Sequence, residues 1–128
     1  MQLSELNLDW TTHSCLERGT AKIGEWTVSV VVSESSYCEP RQNNLPIDEY
    51  TEVEVAIMKA IPGKKRPIYW TMQGTPVEKY FSKYDEIAAY VSIEALSEIM
   101  QYLRLFADWE RESEMDWTGH RKACEWGY

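Results

Sequence analysis

The chain has 128 residues, 44% of them apolar and 27% charged, a composition and size that point to one globular domain with its own core. Twenty-one acidic residues against 13 basic give a net charge of -8, which disfavours direct contact with nucleic acid phosphates or an anionic membrane. No apolar run approaches the ~20 residues of a membrane span, and three cysteines are too few for a disulfide scaffold and fit a reducing cytoplasm.

Residues 1–10 carry Glu5 and Asp9 and no basic residue, so no signal peptide is expected there. Leu3, Leu6 and Trp10 have helical spacing, but residues 1–21 as a whole lack a clear period and are left unassigned. Residues 22–33 predict a strand, clearest over 24–33. Trp26, Val28, Val30 and Val32 alternate with Glu25, Thr27, Ser29 and Val31, which implies one buried face. Residues 34–49 are rich in turn formers and predict a long, ordered, exposed loop suited to binding. Tyr37 and Arg41 are its best anchors.

Residues 50–59 predict a second strand, antiparallel to the first. Thr51, Val53, Val55 and Ile57 take one face; Tyr50, Glu52, Glu54, Ala56 and Met58 take the other. Residues 62–67 form a turn with Lys64, Lys65 and Arg66 at its tip. Residues 68–72 predict a third strand with Ile68, Trp70 and Met72 on one side, and 74–76 another turn. Residues 77–81 suit a short strand, and 84–91 a strand or a helical turn. Ser92 suits a helix N-cap. Ile93, Leu96, Met100, Leu103, Phe106 and Ala107 then repeat at helical spacing to about Trp109. Residues 110–128 read as a polar tail broken at Gly119, flexible or ordered, which the sequence leaves open. Strands followed by a helix predict an α+β fold: an antiparallel sheet of three to four strands, covered on one face by the C-terminal amphipathic helix.

Four groupings bear on chemistry. His13 with Cys15 and His120 with Cys124 pair soft ligands that suit zinc, although H-x-C is not a zinc-knuckle spacing; unliganded residues are the expectation. Cys38 has no histidine near it in sequence, so a half-buried thiol is expected rather than a nucleophile. Glu52 and Glu54 share a strand face, a spacing more typical of a solvated surface than of acid–base catalysis. Residues 63–66 lack the spacing of a phosphate loop. Trp26 and Trp70 read as core. Trp10, Trp109, Trp117 and Trp126 fall in the least regular regions, where some could serve an interface. Asp108, Glu110, Glu112, Glu114 and Asp116 alternate, broken only by Arg111. They form either a fraying, solvated helix end or a negative surface for a basic partner.

Trp26-Thr-Val-Ser-Val-Val-Val, Ser36-Tyr37-Cys38-Glu39-Pro40-Arg41, the run from Glu49 to Ile57, and Tyr90-Val91-Ser92 leading into the helix resemble small proteins encoded by phages and prophages. The resemblance spans roughly residues 24–105. Small acidic phage proteins include inhibitors of host defence, anti-CRISPR proteins among them. These share no common motif, so no functional residue carries over.

The resulting expectation is a non-enzymatic acidic binding protein of the host cytoplasm, without cofactor. It would block a host protein through that protein's basic nucleic-acid-binding surface, such as a CRISPR effector's, and touch neither nucleic acid nor membrane itself. Its expected partner-binding residues are Tyr37, Arg41, Glu52, Glu54, Glu110, Glu112, Glu114 and Asp116. The alternatives are a zinc-stabilised or virion-associated structural protein and, third, a small enzyme.

Overall fold

In a computed structural model the protein is described over residues 1–82 and 85–120, with the side chains of the final helix described to Arg111. The α+β expectation holds, and the sheet is larger than three to four strands. Its strands are β1 (Asp9–His13), β2 (Leu16–Ile23), β3 (Trp26–Val32), β4 (Glu52–Lys59), β5 (Ile68–Tyr69) and β6 (Ala88–Ser92), followed by helix α1 (Ile93–His120). All pairings are antiparallel. The first five strands lie in chain order, and β6 shares the far edge of β4 with β5.

β3 and β4 pair as predicted, with Val28 opposite Ile57 and Val30 opposite Val55. These four and Val53 are fully buried, because directly paired residues share a face and α1 covers that face. β6 runs straight into α1. The Ser92 hydroxyl accepts the Ala95 amide at 3.1 Å, which caps the helix as expected. Leu96, Ile99, Met100 and Leu103 form its buried stripe.

Several expectations are corrected. The strand read over residues 22–33 is two strands, reversing at Gly24-Glu25 with Ile23 opposite Trp26. Gly24 has φ +63°, and a Cβ there would stand 2.8 Å from the Ala107 Cβ, so this turn docks tightly on α1. Segment 1–21 supplies β1 and most of β2. It escapes a periodicity reading because β1 is an almost wholly exposed edge strand. β2 is half-buried and contains Gly19, over which the Trp10 ring packs at 2.8 Å from a would-be Cβ. Trp10 is therefore on a strand.

β3 buries both faces. Ser29 and Val31 are 4% and 7% exposed, because a central strand is flanked on its outer side too; Arg18 and Glu54 stand on either side of Val31. β4 begins at Glu52, so Tyr50 is not on its outer face but buried at 1%, and Thr51 is exposed. The third strand ends at Tyr69, short of Met72, which has φ +59° and is buried. Residues 76–80 form a 3-10 turn opened by Pro76 rather than a strand.

The helix does not stop near Trp109. It reaches His120 and spans about 42 Å by its 28 residues, whereas the eight residues of β4 span about 27 Å. Like-charged pairs cost only a few tenths of a kcal/mol each, and Asp108 pairs with Arg111 at 2.6 Å, so propagation continues past the sheet.

Candidate functional site

Residues 33–51, between β3 and β4, are tied by hydrogen bonds within the segment, to β4 and to the N-terminal segment. The Glu34 amide donates to Asn43 Oδ1 at 2.8 Å, and the Tyr50 hydroxyl to the Gln42 carbonyl at 2.6 Å. The Glu39 amide donates to the Glu52 carbonyl at 2.9 Å and the Thr51 amide returns to the Glu39 carbonyl at 2.8 Å, which ties the loop to β4. The amide and hydroxyl of Ser4 both donate to the Asp48 carboxylate at 2.8 Å. Cys38 is buried, and its thiol donates to the Ser33 carbonyl at 3.2 Å. These bonds give the loop a defined path, with Ser36 and Cys38 buried rather than exposed.

Its centre is a clamp around Tyr37. The Tyr37 amide donates to Glu54 Oε1 at 2.9 Å, and the Tyr37 carbonyl accepts the Tyr90 amide at 3.0 Å. Tyr90 sits in a β-bulge between the Val53 and Val55 pairings, with φ +53°, which turns it toward the loop. The two rings lie 6.0 Å apart at 52°, and the Arg41 guanidinium carbon stands 5.9 Å from the Tyr37 ring centre. Tyr37 and Tyr90 remain 43% and 42% exposed. Glu54 points away from the face that α1 covers, so this cluster occupies the helix-free face.

The structure thus brings Tyr37, Arg41 and Glu54 together and adds Tyr90. Glu52 stands two residues from Glu54 on the same face, half-buried, with no side-chain hydrogen bond or ion pair among the described residues. Both glutamates are expected from the sequence to face solvent and a partner. Glu54 is instead a structural acceptor for the loop. Tyr90 escaped the sequence reading because a bulge, not an alternation, aims its ring.

The second acidic group stands apart from this cluster. Glu52 pairs with Ser92 at the start of α1, and Glu110 lies about 26 Å further along the helix, seventeen rises on. Around Glu110 the surface is of mixed sign: a groove of about 340 Å³ is lined by Glu25, Arg104, Asp108, Glu110 and Arg111 beside Gly24. Glu112, Glu114 and Asp116 belong to α1, and their side chains fall outside the described residues.

No described group of three or more His, Cys, Asp and Glu side chains could hold a metal. His13 and Cys15 are both exposed at the β1–β2 turn; Cys124 and the His120 side chain lie outside the described residues. Burial pushes the Cys38 thiol pKa up, the opposite of what activates a nucleophile. No described helix is long and apolar enough to cross a membrane. Comparison with family models, curated proteins and solved structures found no match.

Proposed function

We propose that this chain is an acidic binding protein whose contact surface is the Tyr37–Tyr90–Arg41 cluster with Glu52 beside it. The supporting observation is the clamp at Tyr37: Glu54 and Tyr90 hold a loop so that two rings stay half-exposed on the helix-free face. Tyrosine offers large, rigid contact area with a polar tip, the character of interface anchors, and their order is fixed before binding. The net charge of -8 selects a basic partner at long range.

In this reading the partner is a protein with a basic nucleic-acid-binding surface. Together with the resemblance to phage-encoded inhibitors, the reading extends to a host-defence effector, CRISPR complexes included, met in the host cytoplasm. Carboxylates such as Glu52 would occupy positions that phosphates otherwise fill.

The test is capture of partners from host extract by the full chain and by a Tyr37→Ala, Tyr90→Ala variant, with kinetics measured on the protein recovered. A partner lost by at least about 30-fold in affinity on removing both rings, bound faster at low salt and displaced by nucleic acid supports the reading. A partner held equally by both forms, or indifferent to salt and nucleic acid, refutes it.

A further inference from the structure

The two half-exposed tyrosines stand in a row beside a second row made of carboxylates. On β4, Glu52 is flanked by Ser92 of β6 on one side and by Glu39 of the loop on the other. Two residues further along β4, Glu54 is flanked by Tyr90 in the β6 bulge and by Tyr37, whose amide it accepts. Both neighbours run antiparallel to β4, so Tyr37 precedes Glu39, and Tyr90 precedes Ser92, by the same two residues. Two residues of extended chain advance about 7 Å. The pair of rings therefore stands one such step from the pair of glutamates, on the helix-free face.

Glu39 and Glu52 are directly paired, so their side chains share that face. Like charges directly opposite one another destabilise a sheet. Neither carboxylate has a hydrogen bond or ion pair among the described residues. Arg41, two residues from Glu39, does not answer them. Its guanidinium stands 5.9 Å from the Tyr37 ring centre, exposed and also without a hydrogen bond or ion pair among the described residues. That position marks the Tyr37 ring as a face that takes a guanidinium. An arginine from outside matches both rows at once. Its planar head stacks on aromatic rings, and its forked donors can bridge two carboxylates; lysine offers a compact point charge without the fork.

We propose that this surface seats an arginine side chain of the partner, with its guanidinium between Glu39 and Glu52 and its stem along Tyr37 and Tyr90. Arg41 covers the Tyr37 face in the free protein and is displaced when that arginine enters. The inference rests on the reading of this cluster as the contact surface and names the side chain it takes. Arg41 is then a placeholder rather than an anchor. Arginine in a nucleic-acid-binding surface is ordinarily paired with phosphate, and two unpaired carboxylates side by side offer it an equivalent charge.

The test titrates the full chain with two blocked peptides, Gly-Arg-Gly and Gly-Lys-Gly, followed by the amide resonances of residues 37–41, 52–54 and 90–92. The arginine peptide is expected to bind at least about fivefold more tightly, with shifts confined to this cluster. Tyr37→Leu with Tyr90→Leu should bring the two peptides to within about twofold of each other. Glu39→Gln and Glu52→Gln should each weaken arginine binding at least about threefold. Asp9→Asn, the same loss of charge at an exposed position three strands away on β1, should change it little. Arg41→Ala should tighten the arginine peptide about threefold and the lysine peptide less, because it frees a ring face as well as removing a charge. Circular dichroism confirms that every variant is folded. Equal affinity for the two peptides, shifts outside the cluster, or an Arg41→Ala variant that binds arginine more weakly would overturn the proposal. A partner captured through Tyr37 and Tyr90 whose contact arginines can all be changed to lysine without loss would also overturn it, while leaving the contact surface in place. Ring-dependent arginine selectivity, found beside capture that is indifferent to the rings, would uphold the seat and refute the partner reading instead.

Discussion

Replacing Glu54 by alanine removes the carboxylate that accepts the Tyr37 amide at 2.9 Å. A hydrogen bond to a charged acceptor contributes about 1.5–3 kcal/mol net. Glu54 is only half-buried, so water competes for the amide and about 1 kcal/mol is the expected loss. That is about a fivefold change in a local opening equilibrium. Amide hydrogen exchange reads it residue by residue. The Tyr37 amide should exchange about five times faster. The Cys38 and Glu39 amides, bonded to the Ser36 and Glu52 carbonyls, should accelerate with it if the segment opens as one unit. Core amides of β3 should not change. Glu52→Ala is the control, since its side chain holds nothing among the described residues. Unaltered Tyr37 exchange in Glu54→Ala, or equal acceleration in Glu52→Ala, would show that the loop is held by other means and refute the clamp.

Three further outcomes are expected. Val30→Ala should lower unfolding free energy by about 2 kcal/mol in denaturant titration, because Val30 is fully buried between β2, β4 and α1. Gly24→Ala should cost about 2–4 kcal/mol, from the positive φ and the 2.8 Å approach to Ala107; combined with Ala107→Gly it should be less than additive. Burial raises the Cys38 pKa in the folded state, so the unfolded chain loses that proton first as pH rises. Stability should therefore fall above about pH 8.5, and more shallowly in Cys38→Ala, as followed by denaturant midpoints from pH 7 to 10.

β3, β4 and the start of α1 were legible because each has a strong local signal: β-branched residues at period two, and an apolar stripe behind a serine cap. β1 and β2 carry no such signal. What fixes them is a tryptophan lying on a glycine in the next strand, and the empty side of Gly19 leaves no mark on an apolar pattern. Gly24 was a visible turn signal inside an alternating run, outweighed by the alternation around it. Tyr37, Arg41 and Glu54 could be nominated from loop and strand composition. Their meeting depends on a bulge at Tyr90, which no two-residue period announces. The separation of Glu52 and Glu54 from Glu110 is a matter of helix length and direction, and the continuation of α1 past the sheet decided both.

The strand order also sets a sequence of events in time. Two-residue turns join β1 to β2 and β2 to β3, with His13 opposite Leu16 and Ile23 opposite Trp26. Closing such turns loses little chain entropy, and hairpins of this kind form within microseconds. β4 reaches β3 only across the nineteen residues 33–51, a closure that costs about 2 kcal/mol more on simple loop statistics. The three-strand ribbon is therefore expected to form before the Tyr37 segment has β4 to dock on. Substitutions in β2 and β3 should slow folding, and substitutions at Glu54 or Tyr50 should chiefly hasten unfolding. The surface assigned to binding is expected to assemble after the ribbon, so that it can open and reclose while the ribbon beneath it keeps its register.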